Sequence, residues 1–218
     1  MSSNRLQLNS DKTEVLWCLT SQRQSQLPRT PLPVGGTSVD PVRGVRDLGI
    51  HIDCDLVMCS HVQKTTSACF AVLRQLRQIR HLLPPSTVQT LVVSLVLNKL
   101  DFGNAVLVGL PAYLMRRLQS VQNVSTPLIY RLHRSDHISD TLVSLHWLRV
   151  PERIEYKIAV LVYEVLNGLA PRYLGPLTHV ADLSGRHTLR SASSNCLHIP
   201  PVRLSTVGTR AFSVAVKD

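Results

Sequence analysis

Short runs of β-branched and aromatic residues, separated by loops rich in Gln, Ser and Pro, make up the first quarter of the chain. Such runs are typical of strands. The pattern predicts a strand over residues 12–19, a hairpin over 33–42 that turns at Gly35-Gly36, and a second strand over 46–53. Because an isolated hairpin is only marginally stable in water, we expect these strands to leave sheet edges unpaired.

Apolar residues beyond this point recur at the spacing of a helix. Over residues 60–83 one helix face collects Val62, Cys69, Leu73, Leu76 and Ile79. The double proline at positions 84 and 85 is expected to end this helix, and Ser86 to cap the next one, over 87–100.

Three more helices are predicted, over 111–134, 138–148 and 152–166. Pro127 lies inside the first of them and is expected to cost about 3 kcal/mol or to kink it. Pro151 suits the first position of the last one, and Asn167-Gly168 suits its end. The last 45 residues are weakly patterned. The expected fold class is therefore mainly α, with a small β-hairpin and strand region at the start.

Charge changes this picture because it is unevenly distributed. The formal net charge is +10, yet residues 1–57 are neutral overall and residues 135–218 carry only +2. Residues 58–134 hold nine Lys or Arg against a single acid, Asp101, for a net charge of +8. A concentrated positive charge favours a polyanionic partner such as nucleic acid.

Other classes of protein receive little support from the sequence. No apolar run approaches the roughly 20 residues that a membrane helix needs, and the first residues lack the apolar stretch of a signal peptide. We therefore expect no membrane association, an intracellular location in the nucleus or cytoplasm, and five reduced cysteines. No Walker loop, Gly-x-Gly-x-x-Gly or Gly-x-Ser-x-Gly motif occurs, so no small-molecule substrate is expected.

Three stretches resemble the reverse transcriptases of LINE-type (non-LTR) retrotransposons, in the family's order and spacing. They are Asn4–Asn9 (NRLQLN) with Asp11–Glu14 (DKTE), Val45–Asp53 (VRDLGIHID), and Leu145–Ile154 (LHWLRVPERI) continuing to Leu169–Leu174 (LAPRYL). The resemblance implies a palm remnant with a primer-grip hairpin over 1–57, a basic helical thumb over 58–134, C-terminal helices over 135–177 and an irregular tail over 178–218. It also implies descent from an RNA-directed DNA polymerase.

Individual roles follow from the same resemblance. Lys12 falls where the family has a palm lysine near the incoming nucleotide, and Leu48 and Gly49 fall in the primer grip. The intact family enzyme holds Mg²⁺ with aspartates that include an Asp-Asp turn, and this sequence contains no Asp-Asp pair. The chain begins after the point where that turn is expected. We therefore expect no catalysis and no cofactor for this chain as it stands.

Arginines of the basic segment are the candidate nucleic-acid contacts. Arg74, Arg77 and Arg80 recur at helical spacing beside the apolar face of the first long helix, and Arg116 and Arg117 are further candidates. The functional interpretation is contact with the phosphates of an RNA–DNA or DNA duplex. The alternative is an ordinary solvated helix face. The net charge of +8 favours phosphate contact.

Two further features of the sequence are a group of possible zinc ligands and two departures from the family pattern. His51, Cys54, Cys59 and His61 are residue types that bind zinc, but their spacing matches no known zinc motif, so a structural role is favoured. Pro127 and Cys59 depart from the family pattern, in which a helix-compatible residue and an Arg are expected. These departures indicate drift in a copy that is no longer under selection.

The function predicted from the sequence is thus a fragment of a reverse transcriptase that retains template–primer binding at most. The alternative is a helical module, adopted by a host, that binds another protein and has no role with nucleic acid. A stable fold, a defined protein partner and indifference to nucleic acid would favour that alternative.

Overall fold

The computed structural model describes residues 9–28, 30–131, 137–183, 196–202 and 208–215. The chain divides into two compact units, residues 1–64 and 65–218, so the division lies inside the first long helix. The structure is mainly helical with small sheets, which confirms the expected fold class. The finer division into four segments stays a prediction. No helix in the described ranges is long and apolar enough to cross a bilayer.

The described residues of the first unit form six short strands in three separate pairs. Their bounds are β1 (Val15–Leu16), β2 (Leu32–Val34), β3 (Thr37–Val39), β4 (Pro41–Val42), β5 (Gly44–Asp47) and β6 (Ile50–Asp53). β1 pairs with β4 in parallel, whereas β2–β3 and β5–β6 are antiparallel hairpins. Every sheet therefore has two strands, and each described strand keeps one edge without a neighbouring strand, as the sequence predicts.

The β2–β3 hairpin turns at Gly35-Gly36, which confirms the prediction. The prediction of a single strand over 46–53 was wrong, because the chain reverses at Leu48-Gly49 and pairs Gly44 with Asp53. Both turn residues have positive φ, +45° and +89°, which is the geometry of a tight type I′ hairpin turn. Alternation alone missed the turn because leucine is an unusual residue in that conformation.

The predicted strand over 12–19 is reduced to the two residues of β1, preceded by a 3₁₀ turn at Ser10–Lys12. No strand residue in the described part of this unit is fully buried. The residues that are buried here lie at or just before the start of the first helix: Met58, His61 and Val62. Trp17 is only half-buried.

The second unit is built from helices. Their bounds are α1 (Cys59–Ile79), which begins in the first unit, α2 (Pro85–Val92), α3 (Asn98–Asp101), α4 (Ala112–Tyr130), α5 (Ile138–Ser144), α6 (Val150–Leu166) and α7 (Phe212–Ala215). A π-helical stretch, Val93–Leu97, joins α2 to α3 without a break. The predicted helices over 60–83, 87–100, 138–148 and 152–166 all occur, with shifted ends.

Proline lies in the first turn of both α2 and α6. Ser86 is not the cap of α2, because the helix already begins at Pro85 and Pro84 occupies the cap position without a side-chain hydrogen bond. The fixed φ of proline suits the first turn, where its missing N–H costs nothing. Pro151 lies in the first turn of α6 for the same reason, and Gly168 follows the end of α6 with φ +68°.

Pro127 does not interrupt α4, which continues to Tyr130. A proline removes the N–H that would bond to the carbonyl four residues earlier, here that of Asn123. The Thr126 hydroxyl donates to that carbonyl at 3.2 Å and replaces the missing bond. The predicted continuation of the helix to residue 134 was wrong at Arg131, which has left-handed backbone (φ +54°) and ends the helix.

A polar network inside the second unit fixes the start of α6 against α4. Gln122 is fully buried and donates from Nε2 to the Leu148 carbonyl at 2.8 Å. Gln119 donates from Nε2 to Gln122 Oε1 at 2.9 Å and accepts from the Val150 N–H at 2.9 Å. Each buried group thus has a partner, which a packed core requires. The long run at 145–154 therefore has a structural role in this fold.

Candidate nucleic-acid interface

Arg74, Arg77 and Arg80 follow one side of α1 toward its C-terminal end. Arg74 and Arg77 are exposed, and Arg80 lies in the 3₁₀ turn (Arg80–Leu82) that continues the helix. Their neighbours Leu73 and Leu76 are buried, so the apolar and basic faces predicted from the sequence are both present. The structure therefore places these three guanidinium groups beside the helix face that packs into the core.

Arg80 differs from the other two because part of its guanidinium group is covered. Its Nε and Nη2 atoms are buried and have no hydrogen-bond partner among the described residues. Burial lowers the pKa of Arg80 below its ordinary value, and the positive charges of Arg131 and Arg77 lower it further. Buried N–H groups without acceptors are costly, and an anion at the exposed side chains of Arg77 and Arg131 would offset the repulsion between the positive charges.

Arg131 is the residue that sequence reasoning undervalued. It lies 51 positions after Arg80 in the sequence, so helical spacing does not connect the two residues. The fold brings the end of α4 to the end of α1, so Arg131 acts electrostatically on Arg80. Arg77, Arg80 and Arg131, referred to below as the arginine cluster, thus bring three positive charges close together. No local sequence pattern indicated this proximity. The helix ends at Arg131 in left-handed backbone, a conformation that arginine rarely adopts.

Arg116 and Arg117 lie elsewhere on α4. Both are exposed, and Arg117 is 14 residues before Arg131, or about 21 Å along the helix axis. A phosphate held by the arginine cluster cannot reach them. Arg116 and Arg117 would need a second contact, several phosphates further along an extended polyanion such as a duplex backbone.

The positions that the resemblance assigns to the primer grip and the palm lie in the first unit. Leu48 occupies the tip of the β5–β6 hairpin and is 87% exposed, with Gly49 beside it in the turn. Lys12 is exposed at the end of the 3₁₀ turn that precedes β1. An exposed leucine in left-handed backbone is an unfavourable choice for a simple turn. This cost makes the hairpin tip a candidate contact surface.

The histidines and cysteines near the start of α1 have structural partners. The His51 N–H donates to His61 Nδ1 at 3.4 Å, and Lys64 Nζ lies 3.3 Å from His51 Nδ1. Gln24 Nε2 donates to Cys54 Sγ at 3.0 Å. Within the described residues no three His, Cys, Asp or Glu side chains are grouped so that they could hold a metal ion.

Cysteine chemistry adds no further site. All five cysteines are free thiols, and Cys69 is fully buried between α1 and the π-helical stretch, where its Sγ contacts the Val96 carbonyl. Burial raises the pKa of the Cys69 thiol to about 11, which makes it an unreactive core residue.

The chain matches no protein-family model, and no curated protein or solved structure is significantly similar to it. Its chemistry must therefore be inferred from its own residues. In the described part of the chain these offer a cationic surface with an unsatisfied guanidinium group.

Proposed function

We propose that this chain is a fragment of a non-LTR retrotransposon reverse transcriptase that binds the phosphate backbone of a duplex and performs no polymerisation by itself. The proposal combines the three family-like stretches with the basic character of residues 58–134. Binding would be insensitive to base sequence, because guanidinium groups that contact phosphates read charge and position only.

The observation that carries the binding proposal is the covered guanidinium group of Arg80. An ordinary solvated arginine satisfies its N–H groups with water, whereas two nitrogens of Arg80 lack a partner within the described residues. Arg77 and Arg131 lie close enough to disfavour its charge. A phosphate bound at the exposed side chains of Arg77 and Arg131 supplies the missing negative charge. A solvated helix face, the alternative interpretation, provides no reason for this arrangement.

The absence of polymerisation is proposed on the sequence. Nucleotidyl transfer in this family depends on aspartates that bind two metal ions, and no Asp-Asp pair occurs in these 218 residues. Lys12 alone has no metal-bound triphosphate to act on. Primer extension by the purified chain with Mg²⁺ or Mn²⁺ is therefore expected to give no product, and any product would overturn this part of the proposal.

Duplex binding is tested by measuring the affinity of a labelled RNA–DNA duplex across a range of salt concentrations. If three or four phosphates are contacted, the logarithm of the affinity should fall with that of the salt concentration with a slope of about −3. Arg80→Gln should weaken binding about tenfold at low salt. Arg172→Gln removes an exposed positive charge outside the cluster and serves as the matched control. A flat salt response, or equal losses in the two variants, would contradict phosphate contact at the cluster.

A further inference from the structure

A groove opens in the second unit between α1 and α4. Its volume is about 450 Å³. Leu73 and Leu128 form the floor, Phe70 lines it, and Val124 lies on the α4 rim. Phe70 is half-buried and Val124 is 41% exposed, so apolar surface from both helices is open to solvent.

The α1 rim of this groove is basic. Arg74 and Arg77 both line it and are exposed. Ser67 lies on the same rim, about two helical turns before Arg74. Neither arginine forms an ion pair within the described ranges. The single acid of residues 58–134, Asp101, is paired with Arg153 and is not available to them. The groove thus combines an apolar floor with an unneutralised cationic edge.

This combination restricts the occupant. A duplex backbone presents phosphates and sugars, which satisfy the arginines but leave the apolar floor in contact with water. An amphipathic peptide helix places apolar side chains at every third or fourth position into such a groove. Acidic residues on its flank would meet the basic rim, and complementary charges set orientation and specificity.

We propose that the α1–α4 groove binds an amphipathic helical peptide with an acidic flank, from a protein partner. The peptide inserts apolar side chains against Phe70, Leu73 and Leu128, and its carboxylates pair with Arg74 and Arg77. Because Arg77 also belongs to the arginine cluster, the peptide and a duplex compete for the same surface. The groove therefore makes nucleic-acid binding sensitive to a protein partner.

The test uses the full chain and a labelled synthetic peptide of about 14 residues, with Leu at every third or fourth position and Glu between them. Its scrambled version keeps the charge but loses the apolar face. The amphipathic peptide is expected to bind the unmodified chain in the micromolar range and to be displaced by an RNA–DNA duplex. Equal binding of the scrambled peptide would show that charge alone acts, which overturns the proposal.

Two variants separate this proposal from the duplex-binding proposal. Val124→Lys blocks the apolar rim and adds a positive charge, so peptide binding should fall at least tenfold while duplex binding is unchanged or stronger. Arg80→Gln lies outside the groove lining and should weaken the duplex alone. Full peptide binding by Val124→Lys would refute the groove proposal. Loss of duplex binding in that variant would show instead that the groove holds nucleic acid, which also overturns it.

Folding of each variant is checked by circular dichroism. If Val124→Lys does not fold, Val124→Ser replaces it, because serine removes the apolar contact at an exposed position with little change in size. Peptide affinity should then fall about threefold or more, and an unchanged affinity would count against the groove.

Discussion

The two units of this chain bury their side chains in different ways. In the second unit apolar residues from α1, α2, α4, α5 and α6 meet in a continuous aliphatic core, with Val92, Val96 and Val121 fully buried. In the described part of the first unit, strand side chains are at most half-buried, and the strands form three separate two-stranded sheets. Since burial of apolar area is the main stabilising term in folding, the second unit should hold most of the stability.

The first unit relies instead on hydrogen bonds. The Asp53 carboxylate accepts from the Ser60 N–H at 2.9 Å and so links the end of β6 to the first turn of α1. The Cys54 N–H donates to the Arg43 carbonyl at 2.9 Å, and the Leu19 N–H donates to the Cys54 carbonyl at 2.9 Å. Each such bond contributes only about 1 kcal/mol net, so single substitutions in the first unit should change stability less than those in the core of the second unit.

The largest expected effect on stability comes from a substitution that creates a cavity in the helical core. Leu118→Ala removes a side chain that is 1% exposed and should lower the free energy of unfolding by about 3–4 kcal/mol. Val45→Ala, at a half-buried position of β5 that faces Ile52, should cost less than about 1 kcal/mol. Urea unfolding followed by circular dichroism measures both. Similar losses would show that the two units do not differ in packing.

The next effect is a gain at Pro127. Pro127→Ala restores the N–H that bonds to the Asn123 carbonyl and should stabilise α4 by about 2 kcal/mol, less than the full penalty because Thr126 already bonds to that carbonyl. Thermal unfolding measures the gain. Pro127→Arg restores the same N–H and should also raise the stability of the protein. A loss of stability in both variants would mean that the helix is adapted to the proline, and would argue against drift.

A smaller gain is expected in the first unit at the hairpin tip. Leu48→Asn creates an Asn-Gly pair, which is favoured in a type I′ turn, and removes a leucine from left-handed backbone. The hairpin should be stabilised by about 1 kcal/mol. Amide hydrogen exchange of β5 and β6 detects the change, and Leu48→Ala, which keeps the strain, is the control. Equal protection in the two variants would exclude backbone strain at this turn.

The smallest effect is a dependence of the first unit on pH. His61 is 5% exposed and accepts a hydrogen bond at Nδ1, and burial, followed by the nearby His51, lowers its pKa below 6.5. The unfolded chain therefore takes up a proton near pH 6.5 and the folded chain only at lower pH. Stability should fall as the pH drops below about 6.5, seen as lower protection of the β5–β6 amides relative to their intrinsic exchange rates at the same pH.

His61→Asn should flatten this pH dependence, whereas His146→Asn, at an exposed position, should leave it unchanged. The pKa of His51 is also lowered, by burial and then by Lys64 and Arg46, so His51 adds to the same trend. An unchanged pH profile in His61→Asn would assign the effect to His51 alone.

The sequence located most helices correctly because their apolar periodicity is strong and prolines mark their ends. The prediction from sequence was wrong where one local pattern is compatible with two structures. Ser86 is a good capping residue, but Pro84-Pro85 starts the helix earlier. Alternation over 46–53 indicated one strand, because a pattern of apolar positions does not register a two-residue turn such as Leu48-Gly49. The same limit applied to the site, where spacing along α1 placed Arg74, Arg77 and Arg80 together but provided no reason to add Arg131.

What the sequence by itself determined is the mainly helical fold class, the basic middle segment and the family-like stretches, because periodicity, charge and motifs are properties of neighbouring residues. Only the tertiary structure decided that two nitrogens of Arg80 are covered, that Arg131 lies close to it, and that α1 and α4 leave a groove between them. Those facts depend on how two helices distant in sequence pack together, and packing is not encoded in any local pattern.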